Sequence, residues 1–233
     1  MSAPSGPIRA VFFDLGGTLI DERNPEAWSE CARASGLEIL PDELVHCFGE
    51  VEVGNDAVGN RWGAEEFWRR VLDQATGTPT EATQVRGFVA CVRERGGEAH
   101  LFSDVRRCLD RVQAAGYRLG VISNSRSEEW VRSILEKVGV LRYFEAVISS
   151  GTEGVAKPDP EIFRRSVARL GLQPAEAFHV GNLAHVDAKA ALAAGLHAVW
   201  LNRAGTGFGE DPPEITSLSE LPGELQTFRS RAR

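Results

Sequence analysis

The sequence predicts an α/β protein, a mostly parallel sheet flanked by helices and interrupted early by an all-helical unit. Three observations predict it. Residues 8–14, IRAVFFD, form an almost continuous apolar run ending in a carboxylate, the pattern of a strand buried on both faces. From about 25 to 100, apolar and aromatic side chains recur at three-to-four spacing, as in Phe67, Val71 and Leu72. After residue 100, strand-like runs alternate with helical stretches of about 10–15 residues, which implies βαβ units and a parallel sheet.

Each element has its own justification. Gly16-Gly17-Thr18 follows the first strand at once and reads as a backbone turn. In the helical unit, Pro25, Pro41 and Ala64-Glu65-Glu66 suit first turns, and Gly36, Gly77 and Gly96 suit helix ends. Beyond it, a helix over 103–115 leads to a strand over 117–125, and a helix over 127–138 to a strand over 144–150. A helix over 160–170 leads to a strand over 177–182, and a helix over 184–194 to a strand over 197–202. The first strand belongs to this sheet. The domains are therefore expected to be a core of residues 1–21 and 101–233 and a helical insertion of residues 22–100. The segment EITSLSELPGEL in the tail is expected to cover the sheet edge.

Length and composition bound the function. The 233 residues suffice for a sizeable core without covalent staples. The net charge of −7, with no basic block, argues against nucleic acid or an anionic membrane surface as a partner. A small anionic substrate remains open, because charge within a pocket can oppose the global sign. There is no run of about 18 apolar residues, and MSAPSGPIRA has no cationic stretch leading into an apolar one, so neither a membrane span nor a leader is expected. Cys31, Cys47, Cys91 and Cys108 are scattered without a CxxC pair. They read as small buried hydrophobes in a reducing, cytoplasmic protein.

In an open parallel sheet, ligands bind beyond the carboxyl ends of the strands. The residues placed there are Asp14, then Ser123-Asn124-Ser125, then Gly151 to Lys157, then Gly181-Asn182 to Asp187. Four polar segments, far apart in sequence, converge on one rim. Ser123 sits before a helix start, where backbone N–H groups point outward. Plainer readings exist for each residue: a turn cap for Asp14, a helix N-cap for Ser123, a solvated lysine, and first-turn helix charge for Asp187.

These segments resemble the motifs of the haloacid dehalogenase (HAD) superfamily, in its group with a helical cap inserted after the first strand. The motifs stand as Phe13-Asp14-Leu15-Gly16-Gly17-Thr18-Leu19, Val121-Ile122-Ser123-Asn124, Lys157-Pro158-Asp159-Pro160, and Val180-Gly181-Asn182-Leu183-Ala184-His185-Val186-Asp187. The resemblance covers essentially the whole chain. It implies a Rossmann-like three-layer core, Asp14 as nucleophile, Ser123 as hydroxyl donor, Lys157 as charge neutraliser and Asp187 as its holder. It places Ser123, Asn124 and Lys157 against the substrate. It also implies a magnesium site of Asp14, the Gly16 carbonyl, Asn182 and Asp187.

Two departures from the family pattern carry chemistry. Family phosphatases usually have a second aspartate two residues after the nucleophile, which protonates the leaving alcohol; here that position is Gly16. Losing a general acid costs roughly 10²–10⁴-fold. The usual first acid of the fourth motif is Asn182, a neutral ligand that weakens magnesium binding. Both changes suit the family's metal-independent haloalkanoate dehalogenases, because a halide leaves without a proton. Those dehalogenases, however, normally carry an aromatic residue at the Gly16 position. Their cap arginine has no clear counterpart among Arg23, Arg33 and Arg61.

The expected function is thus hydrolysis of a small phosphorylated metabolite at reduced rate. A 2-haloacid dehalogenase and an inert binding scaffold are the alternatives. Trp28, Phe48, Trp62, Phe67 and Trp68 are expected in the core of the helical unit rather than against substrate. His185 is the histidine expected to face the cleft, and His46, His100, His179 and His197 show no metal-ligand spacing. No P-loop occurs, and Gly205-Thr206-Gly207-Phe208-Gly209 lacks the strand–turn–helix context of a dinucleotide site.

Overall fold

The structure is a computed structural model that describes residues 7–57, 62–95, 99–203, 205 and 212–231. Gly96, Arg61 and residues 206–209, singled out above, lie outside the described residues. The chain divides into two compact units, one of Met1–Asp21 with His100–Arg233 and one of Glu22–Ala99.

In chain order the elements are β1 (Ala10–Phe13), β2 (Ile20–Asp21), α1 (Pro25–Ala34), α2 (Pro41–Ala57), α3 (Ala64–Thr76), α4 (Ala82–Arg95) and β3 (His100–Leu101). Then come α5 (Val105–Ala114), β4 (Arg118–Ser123), α6 (Glu128–Lys137), β5 (Phe144–Ser149), α7 (Ser150–Glu153), α8 (Pro160–Arg169) and β6 (Ala177–Gly181). A π-helical turn over Ala184–Lys189 runs into α9 (Ala190–Ala194), followed by β7 (His197–Leu201), β8 (Glu214–Ile215) and α10 (Leu221–Arg231).

The main sheet has the order β5-β4-β1-β6-β7-β8, with every pairing parallel. β1 is central. Phe13 lies beside Val121 on one side and Val180 on the other, so β1 is buried on both faces, as its apolar run requires. Helices cover both faces. Ile162, Phe163 and Val167 of α8 and Ala190, Ala191 and Ala194 of α9 pack with Ala10, Phe12, Ile122 and Ile148. On the other face, Phe228 of α10 meets Phe178 of β6 edge-on, with ring centroids 5.2 Å apart. The tail adds β8 to the sheet edge beside β7. β2 and β3 pair antiparallel, so the chain leaves for the helical unit and returns from it side by side.

The helix starts follow local chemistry. Asn24, Ser127 and Asp159 cap α1, α6 and α8 by accepting the N–H groups of Ala27, Trp130 and Glu161. The helical unit closes on its own core of Trp28, Leu44, Val71, Leu72, Val85 and Phe88. The Trp28 ring lies 5.0 Å from both Phe48 and Trp68, and Trp68 lies 4.9 Å from Phe88. These aromatics are packing residues.

One expectation is overturned. Cys31 of α1 and Cys91 of α4 form a disulfide, with Cα atoms 5.6 Å apart across a sequence separation of 60. The pairing depends on two helices lying side by side, which residue spacing alone does not reveal. Cys47 and Cys108 are free and buried, and burial pushes the Cys108 thiol up to about 12.

Candidate active site

The site is built at the carboxyl end of the sheet of the α/β unit. Asp14 follows β1 directly, and its N–H donates to the Val180 carbonyl at 2.9 Å. Beyond it the chain turns sharply. Gly17 N–H donates to Ile20 O at 2.8 Å, and Leu19 and Ile20 N–H both donate to Leu15 O. Gly17 takes φ 73°, where a Cβ is strained, and an added Cβ would come within 2.4 Å of the Asn182 carboxamide nitrogen. Glycine therefore serves twice here, for the turn and for the close approach of Asn182.

Lys157 comes from the loop between α7 and α8, at a cis Lys157–Pro158 peptide. Its Nζ donates to Asp14 Oδ1 at 2.6 Å and to Asp187 Oδ1 at 2.6 Å. All three side chains are shielded, with residue exposures of 7% for Asp14, 4% for Lys157 and 1% for Asp187. Asp187 reaches this position because the π-helical turn folds back over the end of β6. A Cβ on Gly181 would sit 2.2 Å from the Asp187 Cγ.

Two carboxylates share one ammonium, and the surroundings divide them. Burial opposes ionisation of Asp187, but the charge of Lys157 and the hydrogen bond from His179 outweigh it and hold the carboxyl well below the usual range. Its Oδ2 also accepts the Leu183 N–H at 3.1 Å. Asp14 has fewer donors. Burial raises its pKa from 3.8 to about 6, with the negative charge of Asp187 adding to the rise and Lys157 opposing it. Burial disfavours charge on Lys157, yet the two carboxylates together raise its pKa, so it remains an ammonium.

Ser123 ends β4 and is buried, with Asn124 next to it and exposed. Both ends of the Asn124 carboxamide are spent on the Lys157 backbone. Nδ2 donates to Lys157 O at 2.8 Å, and Oδ1 accepts Lys157 N–H at 2.9 Å. Asn124 thus clips the lysine peptide in place. Asn182 is half-buried; its Oδ1 is 3.4 Å from the Thr18 hydroxyl, which donates to it, and its carbonyl accepts the Trp200 indole N–H at 2.9 Å.

Two residues here were not singled out from the sequence. His179, on β6, is fully buried, with Nε2 3.2 Å from Asp187 Oδ1, whereas His185 is exposed. Strand alternation could have found it, since His179 and Gly181 share the β6 face over which Asp187 folds. Arg203, just past β7, donates to Gly17 O at 3.3 Å and Thr18 O at 2.8 Å. It also pairs with Asp104 and lies 3.9 Å over the Phe102 ring. It pins the turn that follows the candidate nucleophile, a job with no local sequence signature.

Among the described residues no three His, Cys, Asp or Glu side chains are grouped to hold a metal. Both Asp187 oxygens are engaged. The oxygens that the resemblance offers as ligands, those of the Asp14 carboxylate, the Gly16 carbonyl and the Asn182 carboxamide, would make an all-oxygen set with one carboxylate. Such a set fits magnesium, a hard cation that keeps much of its water and takes few protein ligands.

A buried carboxylate at the end of the central strand, a lysine bridging it to a second acid, and a parallel sheet presenting both are the arrangement that the HAD resemblance calls for. The family model for haloacid dehalogenase-like hydrolases matches residues 8–195, and the chain belongs to that family. It is similar to the phosphoserine phosphatase of Thermus thermophilus, 31% identical over 72% of this chain and 65% of that enzyme. It is also similar to the human N-acylneuraminate-9-phosphatase, 29% identical over 95% of each chain. Among solved structures, a 2-haloacid dehalogenase from Pseudomonas syringae superposes with a TM-score of 0.59 at 25% identity, over 95% of this chain and 99% of that one. The chain is thus an enzyme of the HAD hydrolase family, with relatives named as phosphatases. No helix among the described residues is long and apolar enough to cross a membrane.

Proposed function

We propose that this chain hydrolyses the phosphate ester of a small metabolite through Asp14, at a rate limited by the missing acid at position 16. The observation that carries the reading is the buried Asp14–Lys157–Asp187 array, with Lys157 Nζ 2.6 Å from each carboxylate. The phosphatase names of the relatives support the choice of ester.

The ionised Asp14 attacks phosphorus, its oxygen–phosphorus bond forms, and the bond to the leaving alcohol oxygen breaks. Lys157 offsets the negative charge of the transferred group, and the Ser123 hydroxyl donates to one of its oxygens. Gly16 has no side chain to protonate the departing alkoxide, so its proton comes from water. Water then attacks the phosphorus of the acyl phosphate, releasing phosphate and restoring Asp14. Asp14, the Gly16 carbonyl and Asn182 would hold magnesium, with Asp187 reaching it only through water. The ion supplies charge neutralisation at the phosphoryl oxygens when bound.

A second reading has specific support: Gly16 and Asn182 both suit carbon–halogen hydrolysis without metal, since a halide needs no proton. Parallel rates on an alkyl phosphate, an aryl phosphate and a 2-haloacid, each with magnesium and with a chelator, separate the two. Magnesium-dependent release of phosphate from the aryl ester above that from the alkyl ester is the expected result. Halide release that ignores the chelator, with no phosphate release, would overturn the reading.

A further inference from the structure

We propose that His179 is a positioning residue for this reaction: its Nε2–H fixes the Asp187 carboxylate, which in turn holds the Lys157 ammonium against Asp14. The inference rests on the reading of Asp14 and Lys157 as the reacting pair.

His179 is completely buried in the middle of β6, between Phe178 and Val180. Its ring meets Phe163 edge-on at 5.0 Å. Nε2 lies 3.2 Å from Asp187 Oδ1, and Nδ1 is buried without a hydrogen-bond partner among the described residues. This asymmetry assigns the tautomer. A neutral imidazole carries one N–H, and placing it on Nε2 gives it the Asp187 carboxylate as acceptor. Placing it on Nδ1 would bury an unsatisfied donor and turn a nitrogen lone pair towards a carboxylate oxygen. Burial also keeps the ring neutral.

A buried ring nitrogen without a partner is costly. The rest of β6 is Ala177, Phe178, Val180 and Gly181, so an apolar side chain would meet the packing need at lower cost. The Asp187 bond is the compensation. Asp187 Oδ1 then accepts two donors, Lys157 Nζ and His179 Nε2, and Oδ2 accepts the Leu183 N–H. These bonds fix the carboxylate plane. Without His179, Oδ1 keeps only Lys157 and Oδ2 only the Leu183 N–H, so the carboxylate loses one of its three restraints and anchors the lysine less firmly on the side away from Asp14.

The test uses the full chain and three measurements. His179→Phe keeps an aromatic ring against Phe163 and removes the donor; His179→Gln keeps a donor at similar reach. Steady-state kinetics on an aryl phosphate should show kcat falling roughly 10- to 100-fold in His179→Phe with KM little changed, as expected for loss of an outer hydrogen-bond partner. His179→Gln should recover most of that loss, while thermal unfolding should not rank the two variants in the same order as activity. Nitrogen-15 NMR of the wild-type chain should find the His179 hydrogen on Nε2, and a protected Lys157 ammonium signal that broadens in His179→Phe. A hydrogen on Nδ1, an unchanged kcat in His179→Phe, or equal losses in both variants would overturn the proposal. If the wild-type chain turns over no phosphate, the functional reading fails instead; the NMR measurements, which need no turnover and no folded variant for the tautomer, still decide the role of His179.

Discussion

Replacing Asp14 by asparagine should abolish turnover and, at neutral pH, make the protein more stable. Burial raises the Asp14 pKa from 3.8 to about 6. At roughly 1.4 kcal/mol per pH unit, that shift means ionised Asp14 costs the fold about 3 kcal/mol at pH 7.5. The sign follows from the folded state binding the proton more tightly. The contribution is favourable at low pH and is lost as pH rises through about 6. At pH 4.5, where the folded protein keeps its proton, the same calculation leaves a cost of about 1 kcal/mol. Asparagine cannot ionise and removes the difference. It still offers an oxygen to the Lys157 ammonium, which keeps Asp187 as its counter-ion. The gain of Asp14→Asn over the wild type should therefore be larger at pH 7.5 than at pH 4.5 by about 2 kcal/mol, or about 4–8 °C in Tm for a chain of this size. Scanning calorimetry of both proteins at the two pH values reads it directly. An asparagine variant that is less stable than wild type at pH 7.5, or whose advantage does not change with pH, would refute the electrostatic account of the site.

The remaining predictions concern the same few residues. In the magnesium-free protein Asp14 should hold its proton up to about pH 6, because burial disfavours its charge; an infrared or NMR titration that finds its carboxyl fully ionised at pH 5 would contradict that. Gly16→Asp should raise turnover of alkyl phosphates more than of aryl phosphates, because general acid help matters most for a poor leaving group; equal gains on both esters would show the leaving-group argument to be wrong. Gly181→Ala would place a Cβ 2.2 Å from the Asp187 Cγ, so it should displace Asp187 from Lys157 and cost roughly 1–3 kcal/mol together with most of the activity. Calorimetric titration should find magnesium binding weaker than micromolar in the free protein, since the donor set holds one carboxylate; submicromolar affinity would refute that donor set.

The strand-ending residues were legible because the physics that reveals them is local. An apolar run that stops at Asp14, or at Ser123, marks both a buried strand and the rim where its last side chain emerges. The parallel sheet and the helical insertion followed from the same periodicities. What escaped was set by contacts across the fold. Asn124 follows Ser123 and reads as a substrate contact, but its carboxamide matches the donor and acceptor of the Lys157 peptide, 33 residues away. Asp187 reads as a first-turn helix charge until the π-helical turn carries it over Gly181 and against His179 and Lys157. Arg203 pins the Gly17-Thr18 turn from 185 residues downstream, and the Cys31–Cys91 disulfide spans 60. None of these partners can be paired from spacing, because each depends on which loops the sheet order brings together.

In the proposed reaction Asp14 carries the phosphoryl group between the two half-reactions. Rapid acid quench during a single turnover of an aryl phosphate, followed by mass spectrometry of the digested protein, tests it most directly. The expected result is a mass gain of one phosphoryl group, confined to the peptide that contains Asp14, rising and decaying as product forms and absent from Asp14→Asn. Phosphate release with the modification on another residue, or continued release by the folded Asp14→Asn variant, would contradict it.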